Sequence, residues 1–461
     1  MIKHVDLTGR LVIAGFGSIG QGVLPLILRH LGITPAQISV LTGDARGAAI
    51  AAAYGVDFRV APLTRETYRA TLAPMLAADD VLLNLSVDVS SVALIGLCRE
   101  LGALYLDTCI EPWAGGYSDP SLSASERSNY ALRESALRLG GGGPTALITH
   151  GANPGLVSHF VKQALLDLAG DAAPETREGW AALAARLAVK VIHIAERDTQ
   201  VADVAKRRGE FVNTWSIDGF VSEGCQPAEL GWGTHETSWP SDARRHDFGC
   251  DAAIYLDRPG AATRVRSWTP LEGSFHGFLV THSESISIAD AYTHRAGDAV
   301  LWRPTVHYAY HPCDDAVLSL HELAGKNWHR QPDQRLLMDE IVSGTDELGV
   351  LLMGHARGAY WYGSRLSIEQ ARALAPYNNA TSLQVTAAVL GGLVWVLENP
   401  ARGVIEPDAI DHARVLDIAR PYLGDVVGVF SDWTPIEDRG RLFAEAVDTS
   451  CPWQFGNFRV T

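Results

Sequence analysis

Cysteine pairs are missing from this sequence. Six cysteines stand at Cys98, Cys109, Cys225, Cys250, Cys313 and Cys451. None is spaced C-x-x-C and none accompanies a paired histidine, so the common zinc patterns are excluded and no metal is expected. In a chain of this length they read as reduced thiols, which predicts a cytoplasmic protein. Positive charge is also scarce. Thirty-eight Lys and Arg face 53 Asp and Glu, a net charge of −15. That balance repels phosphate backbones, so no nucleic-acid partner is expected, and a cationic ligand suits it better. No apolar run reaches the roughly 20 residues needed to span a bilayer. The longest, Thr381–Leu397, is interrupted by Gln384 and Thr386 and reads as a buried helix, with no membrane partner expected. The opening residues Met1–Asp6 lack the apolar stretch and small-residue cleavage site of a signal peptide. Neither an internal repeat nor a low-complexity tract is visible.

What is present is substantial. The 461 residues, 47% of them hydrophobic, suffice for two or three domains of about 150 residues each with ample cores. Twelve Trp is high, and 44 Gly promise many tight turns and close backbone approaches. The first 150 residues alternate short apolar runs with helical spacing. Strands are expected at Leu11–Gly15, Ile38–Thr42, Val56–Val60, Val81–Leu85, Ala103–Asp107 and Thr145–Thr149. Helices fall between them, at Ser18–Leu31, Ala45–Tyr54, Thr64–Ala77, Ser90–Leu101 and Ser123–Leu139. Such alternation builds parallel β-α-β units, and right-handed crossovers make a doubly wound α/β sheet the default. The glycine run Gly140–Gly143 reads as a connection into the last strand, because no helix starts after it.

Beyond residue 150 a helix is expected at Leu156–Leu168, and then the texture becomes short and strand-like. Strands are expected at Val189–Ala195, Ala252–Leu256, Arg264–Trp268, Phe278–Thr281, Ser285–Ala289 and Thr305–Tyr310, with a hairpin in the 350s. This describes an α+β domain with a mostly antiparallel sheet. Helical texture returns at Thr381–Leu397 and Asp408–Leu423.

Gly15-Phe16-Gly17-Ser18-Ile19-Gly20 matches G-x-G-x-x-G. It follows an expected strand and opens an expected helix, as dinucleotide binding requires. The first glycine makes the turn, the second admits the pyrophosphate, and the third lets helix and strand pack. Free N–H groups and the positive dipole end of the helix, at Ser18 and Ile19, then face the phosphates. The second strand ends near Thr42, and the carboxylate of Asp44 can take the ribose hydroxyls, which favours NAD over NADP. Arg46 works against that preference. Other strand ends at the carboxyl edge supply Asn84, Ser86 and Asp88, then Asp107, Thr108 and Glu111, then Asn153. Each has turn formation or helix capping as a competing explanation.

A second constellation runs from Phe211 to Gly233 and is dense in Trp, Gly and acids. Indole faces attract cations and carboxylates accept their N–H bonds, so Trp215 and Glu223 form a candidate receptor for alkylammonium groups. Core packing for Trp215 and a solvated loop for Glu223 are the ordinary alternatives. His282 and Glu284 lie between two strand-like segments.

Over nearly its whole length the chain resembles the bacterial, NAD-dependent homospermidine synthases, relatives of the saccharopine dehydrogenase-like reductases. The resemblance rests on GRLVIAGFGSIGQGVLPL at 9–26, ITHGANPGLVSHFVKQAL at 148–165 and NTWSIDGFVSEGCQPAELGWGTHE at 213–236, extended by HSESISIAD at 282–290 and PYNNATSLQVTAAVLGG at 376–392. It implies a Rossmann domain at 1–153, a substrate-binding and dimerisation domain at 154–375, and C-terminal helices at about 376–461 that return to the first domain. A homodimer is implied. So is a reaction that joins two putrescines, or putrescine and spermidine, with release of ammonia. Hydride leaves the carbon bearing one amine, the imine exchanges ammonia for the second diamine, and hydride returns, so that NAD is regenerated in place. Carried over, Trp215 is the cation–π platform, Glu223 and Glu196 hold the amines, Asn153 orients substrate, and His282 is a polar contact with a proton-transfer duty. Asp88, Glu111 and the pair Asp346-Glu347 are further candidates at the same cleft edge.

The competing function is a carboxynorspermidine- or saccharopine-type reductase that consumes NAD(P)H. It must bind an α-carboxylate, so Arg or Lys would stand in its substrate pocket. Phe211–Trp232 contains neither, although Lys206-Arg207-Arg208 lies close by.

Overall fold

The computed structural model describes residues 2–460. Its first layer is a parallel sheet in the order Val404–Ile405, Ala146–Leu147, Leu104–Asp107, Val81–Asn84, Leu11–Ala14, Ile38–Thr42, Asp57–Val60. The four central apolar strands are buried on both faces, as parallel strands covered by helices on both sides must be. The strand order reverses beside Leu11–Ala14, and that is where the crevice opens. Six strands come from the expected segments. The seventh, Val404–Ile405, pairs with Ala146–Leu147 from far along the chain. Its two residues are too few to show a period. The glycine run ties the two together, since Gly141 bridges Gly403, and it takes no part in a phosphate cradle.

A second, ten-stranded sheet follows Ala243–Arg245, Ala253–Pro259, Pro227–Gly231, Thr305–His311, Val191–Asp198, Thr345–His355, Gly358–Ser367 and Asp425–Ser431, with the hairpin Arg264–Thr269/Gly273–Phe278 joined at Phe278 and Tyr310. All its pairs are antiparallel except Thr305–His311 with Val191–Asp198. The fold is therefore α/β with a second, mostly antiparallel domain.

Three expectations fail. The strand expected at Phe278–Thr281 lies at Gly273–Phe278, with only Phe278 in common. Ser285–Ala289 is not a strand but part of the helix Ser283–Ala291, eight of whose nine residues are buried. A helix covered all round shows no 3.6-residue period, and its alternating Ser and Ile imitated a strand. The chain after residue 376 divides rather than returning whole to the first domain. The helix Ala380–Glu398 packs on Ser18–His30 and on the helix His412–Ala419. Asp425–Ser431, however, pairs with Gly358–Ser367 as the edge of the second sheet. Trp433, Trp453, Phe455 and Phe458 then fill that sheet's core beside Trp361 and Met353. Ala380–Glu398 is the one helix among the described residues long and apolar enough to cross a membrane, yet 89% of its apolar window is buried inside the molecule. Its Gln384 donates to Asp346 O at 3.2 Å and Ser364 Oγ at 3.1 Å, so its amide N–H groups are met within the core.

Arg133, on the helix Asn129–Leu137, ties the two halves together. Its guanidinium donates twice to Glu406, at 2.6 and 2.7 Å, and to Asp290 at 2.8 Å on the second domain's helix. With its side chain 2% exposed, its removal leaves three partly buried carboxylates without this cation. Arg133→Ala is expected to cost about 3–5 kcal/mol and to lower the thermal midpoint clearly. A midpoint equal to wild type in a calorimetric scan would show that the tie carries no stability.

Candidate active site

The crevice between the two sheets holds a cavity of about 700 Å³, within the range of small-molecule and cofactor sites. One end is the glycine turn. Gly15 has φ +91°, and a Cβ there would meet Leu85 O at 2.5 Å. A Cβ on Gly20 would meet Gly15 O at 2.8 Å. Both positions are closed to larger residues by the protein itself. Gly17 differs: a Cβ there would meet no protein atom within 4 Å, although Gly17 lines the cavity. It caps the helix Ser18–His30, whose first turn has no side-chain cap and no acid. Its leading N–H groups therefore face open space, ready for an anion. These residues fit a dinucleotide pyrophosphate, with Ser18 and Ile19 on the same wall.

Thr42 and Asp44 line the cavity at the end of the second strand. Arg46 lies there too, but its guanidinium donates to Asp44 at 2.9 and 2.7 Å. That bond holds the Asp44 carboxyl below its ordinary range. Asn84, Ser86 and Thr108 also reach the wall, and the turn-forming alternative is real for two of them. Asn84 donates to Tyr105 OH at 3.1 Å, while its Oδ1 accepts from Ser86. Asp107 does not reach the cavity. Its carboxylate turns into the core, accepting from Thr149 N at 2.6 Å and Tyr105 OH at 2.8 Å. Burial pushes it up to about 7. An orphan backbone N–H beside the strand end captured it, so its part is bracing rather than contact.

At the other end the second domain delivers acids. Glu196, on Val191–Asp198, is 2% exposed. It accepts from Asn153 Nδ2 at 2.7 Å and from the Tyr308 hydroxyl. Burial raises it to about 7 against those hydrogen bonds. Glu223, on the helix Ile217–Cys225, accepts from His282 Nε2 at 3.0 Å. Glu111 stands nearby, pushed well up by burial and then by the charge of Glu223. Its Oε2 takes the Asp88 N–H at 3.4 Å, while Asp88 sits in the left-handed region at φ 64° on the exposed rim. Trp215 is half-buried on the wall, with its ring fixed by Nε1 donating to Tyr310 OH at 3.0 Å. Burial pulls His282 down, but Glu284 and Glu223 outweigh it and raise the imidazole well above its ordinary range.

The Asp346-Glu347 pair does not line the cavity. Successive strand residues face opposite ways, so Glu347 turns away to Thr269 Oγ1 at 2.7 Å and Leu271 N at 3.0 Å. Asp346 is buried behind Thr381, which accounts for its hydrogen bond, and Thr381 itself reaches the wall. Burial and the charges of Glu196 and Asp198 push Asp346 well up. Tyr308, which clasps both Glu196 and Asn153, was not singled out from the sequence. Its signal was there, since Tyr308 and Tyr310 share one face of an expected strand, and their rings stack at 5.1 Å. Among the described residues lining the cavity, Arg46 is the sole Arg or Lys. Lys206 is spent on Glu322 at 2.5 Å and does not reach it.

Gly17 offers a clean test. Gly17→Ala is expected to keep the wild-type melting temperature yet lose at least about tenfold in NAD affinity, about 1.4 kcal/mol, by titration calorimetry. Gly15→Ala should lower stability as well. Unchanged NAD affinity in Gly17→Ala would remove the turn from the cofactor site.

The Saccharopine dehydrogenase NADP binding domain matches residues 11–148, and the Saccharopine dehydrogenase C-terminal domain matches 151–429. The homospermidine synthase of Blastochloris viridis is 57% identical, covering 98% of each chain. That of Mesorhizobium japonicum is 51% identical over 99% of this chain and 97% of the relative. The solved homospermidine synthase of Legionella pneumophila, in complex with NAD, superposes with a TM-score of 0.93 at 50% identity, covering 99% of this chain and 98% of that one. Saccharopine dehydrogenase of Saccharomyces cerevisiae, at 11% identity and a TM-score of 0.50, shares the fold alone. With identity above half along almost its full length and both domains matched, the chain belongs to the homospermidine synthase family.

Proposed function

We propose that this chain is a homospermidine synthase, an aminobutyl transferase that uses NAD as a prosthetic group to join two putrescines, or putrescine and spermidine, with release of ammonia. The observation that carries this reading is the charge of the cavity. Its second-domain end presents Glu196, Glu223 and Glu111 around Trp215 and His282, with no Arg or Lys among the described residues there. A diammonium chain supplies the missing positive charge. A reductase acting on a carboxylated substrate would need a free cation at that end, whereas His282 has both ring nitrogens engaged by Glu223 and Glu284, and this favours the transferase over the alternative. Arg46, the one guanidinium among the described residues lining the cavity, is paired with Asp44, which supports NAD rather than NADP. We carry the homodimer and the cytoplasmic location as part of the same reading. The family resemblance supports the first, and six free cysteines support the second.

NAD bound at the glycine turn supplies the hydride acceptor and donor. The chain's own residues do the rest. Trp215 offers an indole surface to an alkylammonium, an interaction worth about 2 kcal/mol or more where water is excluded. Glu196 is raised to about 7, so near neutral pH it can take a proton from an ammonium and return it, as an amine must be neutral before its carbon gives up hydride. Asn153 Nδ2 bonds both Glu196 and, at 2.6 Å, Tyr308 OH, and it thereby orients the carboxylate toward the reacting end. Glu223 receives the second ammonium group.

Incubation with putrescine and catalytic NAD should yield homospermidine and ammonia in equal amounts with no net NADH. Steady NADH accumulation, or turnover only of a carboxylated substrate with NADPH, would favour the reductase. Glu223→Gln should nearly abolish turnover with NAD binding intact, and an unaffected rate would take Glu223 out of the site. Trp215→Phe should keep part of the activity and Trp215→Ala little. Equal activity in the two would mean that the aromatic face is not what binds.

A further inference from the structure

We propose that Glu284 is a positioning residue that holds His282 as an oriented, doubly protonated imidazolium, so that the substrate site carries a permanent internal cation. The inference rests on the function proposed above for its kinetic consequences, but not for its structural claim.

The local sequence His282-Ser283-Glu284 sets up the geometry. His282 caps the helix Ser283–Ala291 from an extended conformation, and Glu284 lies in that helix's first turn. Two residues apart across the cap, the side chains meet: His282 Nδ1 lies 3.2 Å from Glu284 Oε1. The other ring nitrogen, Nε2, lies 3.0 Å from Glu223 Oε2 on the helix Ile217–Cys225. Both partners can only accept when ionised, so both ring nitrogens must carry hydrogen to satisfy them. A neutral ring would leave one buried carboxylate facing a lone pair. Glu284 is 1% exposed, does not line the cavity, and has no hydrogen-bond partner at Oε2. Among the described residues His282 is its one counter-charge in hydrogen-bonding reach, and a carboxylate stripped of water needs such a partner. The ring is also fixed from the side, with its centroid 4.6 Å from that of Tyr308. The other titratable groups facing this pair are Glu196, Glu111 and Cys109. Two are acids and one is a thiol, so none opposes the positive ring.

The consequence lies in how the amine site works. With Nε2–H held on Oε2, Glu223 presents its other oxygen, Oε1, to the cavity. That oxygen has only the Cys109 thiol at 4.0 Å, and a substrate ammonium can take it without disturbing the ring. Glu284 touches neither cavity nor substrate, and it acts through His282, as the buried carboxylate of a catalytic triad acts through its imidazole.

The test is histidine-selective ¹⁵N NMR on the full-length protein with NAD and no diamine, combined with pH profiles. In the wild type both nitrogens of His282, assigned by its loss in His282→Asn, should resonate as imidazolium at pH 8. Glu284→Gln keeps the acceptor but removes the charge. Its His282 should then titrate within about pH 6–8, where an ordinary imidazole does. With it, kcat should fall at least about tenfold and acquire a limb absent from wild type, with activity lost as pH rises through the new pKa. NAD affinity should not change. A neutral His282 in the wild type at pH 8 would overturn the proposal. So would a folded Glu284→Gln whose kcat is lower at every pH with no new limb, or whose His282 spectrum matches wild type. If Glu284→Gln does not fold, the wild-type spectrum alone decides. Because the spectra are read without substrate, an imidazolium in a protein that makes no homospermidine would count against the function proposed above and not against the role of Glu284.

Discussion

Carboxylates without matching cations dominate this molecule's interior. Glu196, Asp198, Asp346, Glu223, Glu284 and Glu111 are all buried around one end of a single crevice. Each ion taken from water costs several kcal/mol unless it is paired or hydrogen-bonded. The fold meets part of that cost with neutral donors. Asn153 and Tyr308 serve Glu196, Thr214 and Gln200 serve Asp198, and Thr381 serves Asp346. These donors come from five separate stretches of chain, so the two-domain architecture is what makes the acidic pocket tolerable. Where pairing is incomplete, burial lifts the carboxyls toward neutrality, which gives Glu196 a proton affinity useful near neutral pH.

The contrast with the domain junction is instructive. At Arg133 a fully buried guanidinium is surrounded by Glu406, Asp290 and Glu134. There the acids have their cation and the result is a tie between halves. In the crevice the same residue types are left short of cations, and the shortfall selects what binds. At the second-domain end, among the described residues lining the cavity, His282 is the one basic side chain, and it is held between two acids. One arrangement builds structure and the other builds a receptor, and the difference is whether the chain supplies the opposing charge itself.

Much of this was legible in the linear chain. The glycine turn, the alternating strands and helices, and the Trp215–Glu223 block all announced themselves through spacing and composition over short windows. Asp107 shows why strand-end reasoning overreached. Its position at the carboxyl edge was right, but the N–H of Thr149 lay closer than the cavity and captured it. Asp346 and Glu347 show the period of two at work, since neighbouring acids on one strand cannot both face the same cleft. Tyr308 was passed over, and Glu284 was named beside His282 without a role, because each acts by gripping another residue, and a grip is invisible until both partners are placed.

By itself the sequence determined which segments fold as strands or helices where their periodicity was clean, the kind of cofactor turn, and the sign of charge the ligand must carry. Those are local or additive properties, readable from a few adjacent residues or from a sum. Tertiary structure decided which acids share a cavity, which are turned into the core, and where the last eighty-odd residues divide between the two sheets. These depend on pairings between residues often more than a hundred positions apart, such as Val404 with Ala146 or Tyr308 with Glu196. Only the closing of the whole chain around both cores brings such partners within a hydrogen bond of each other.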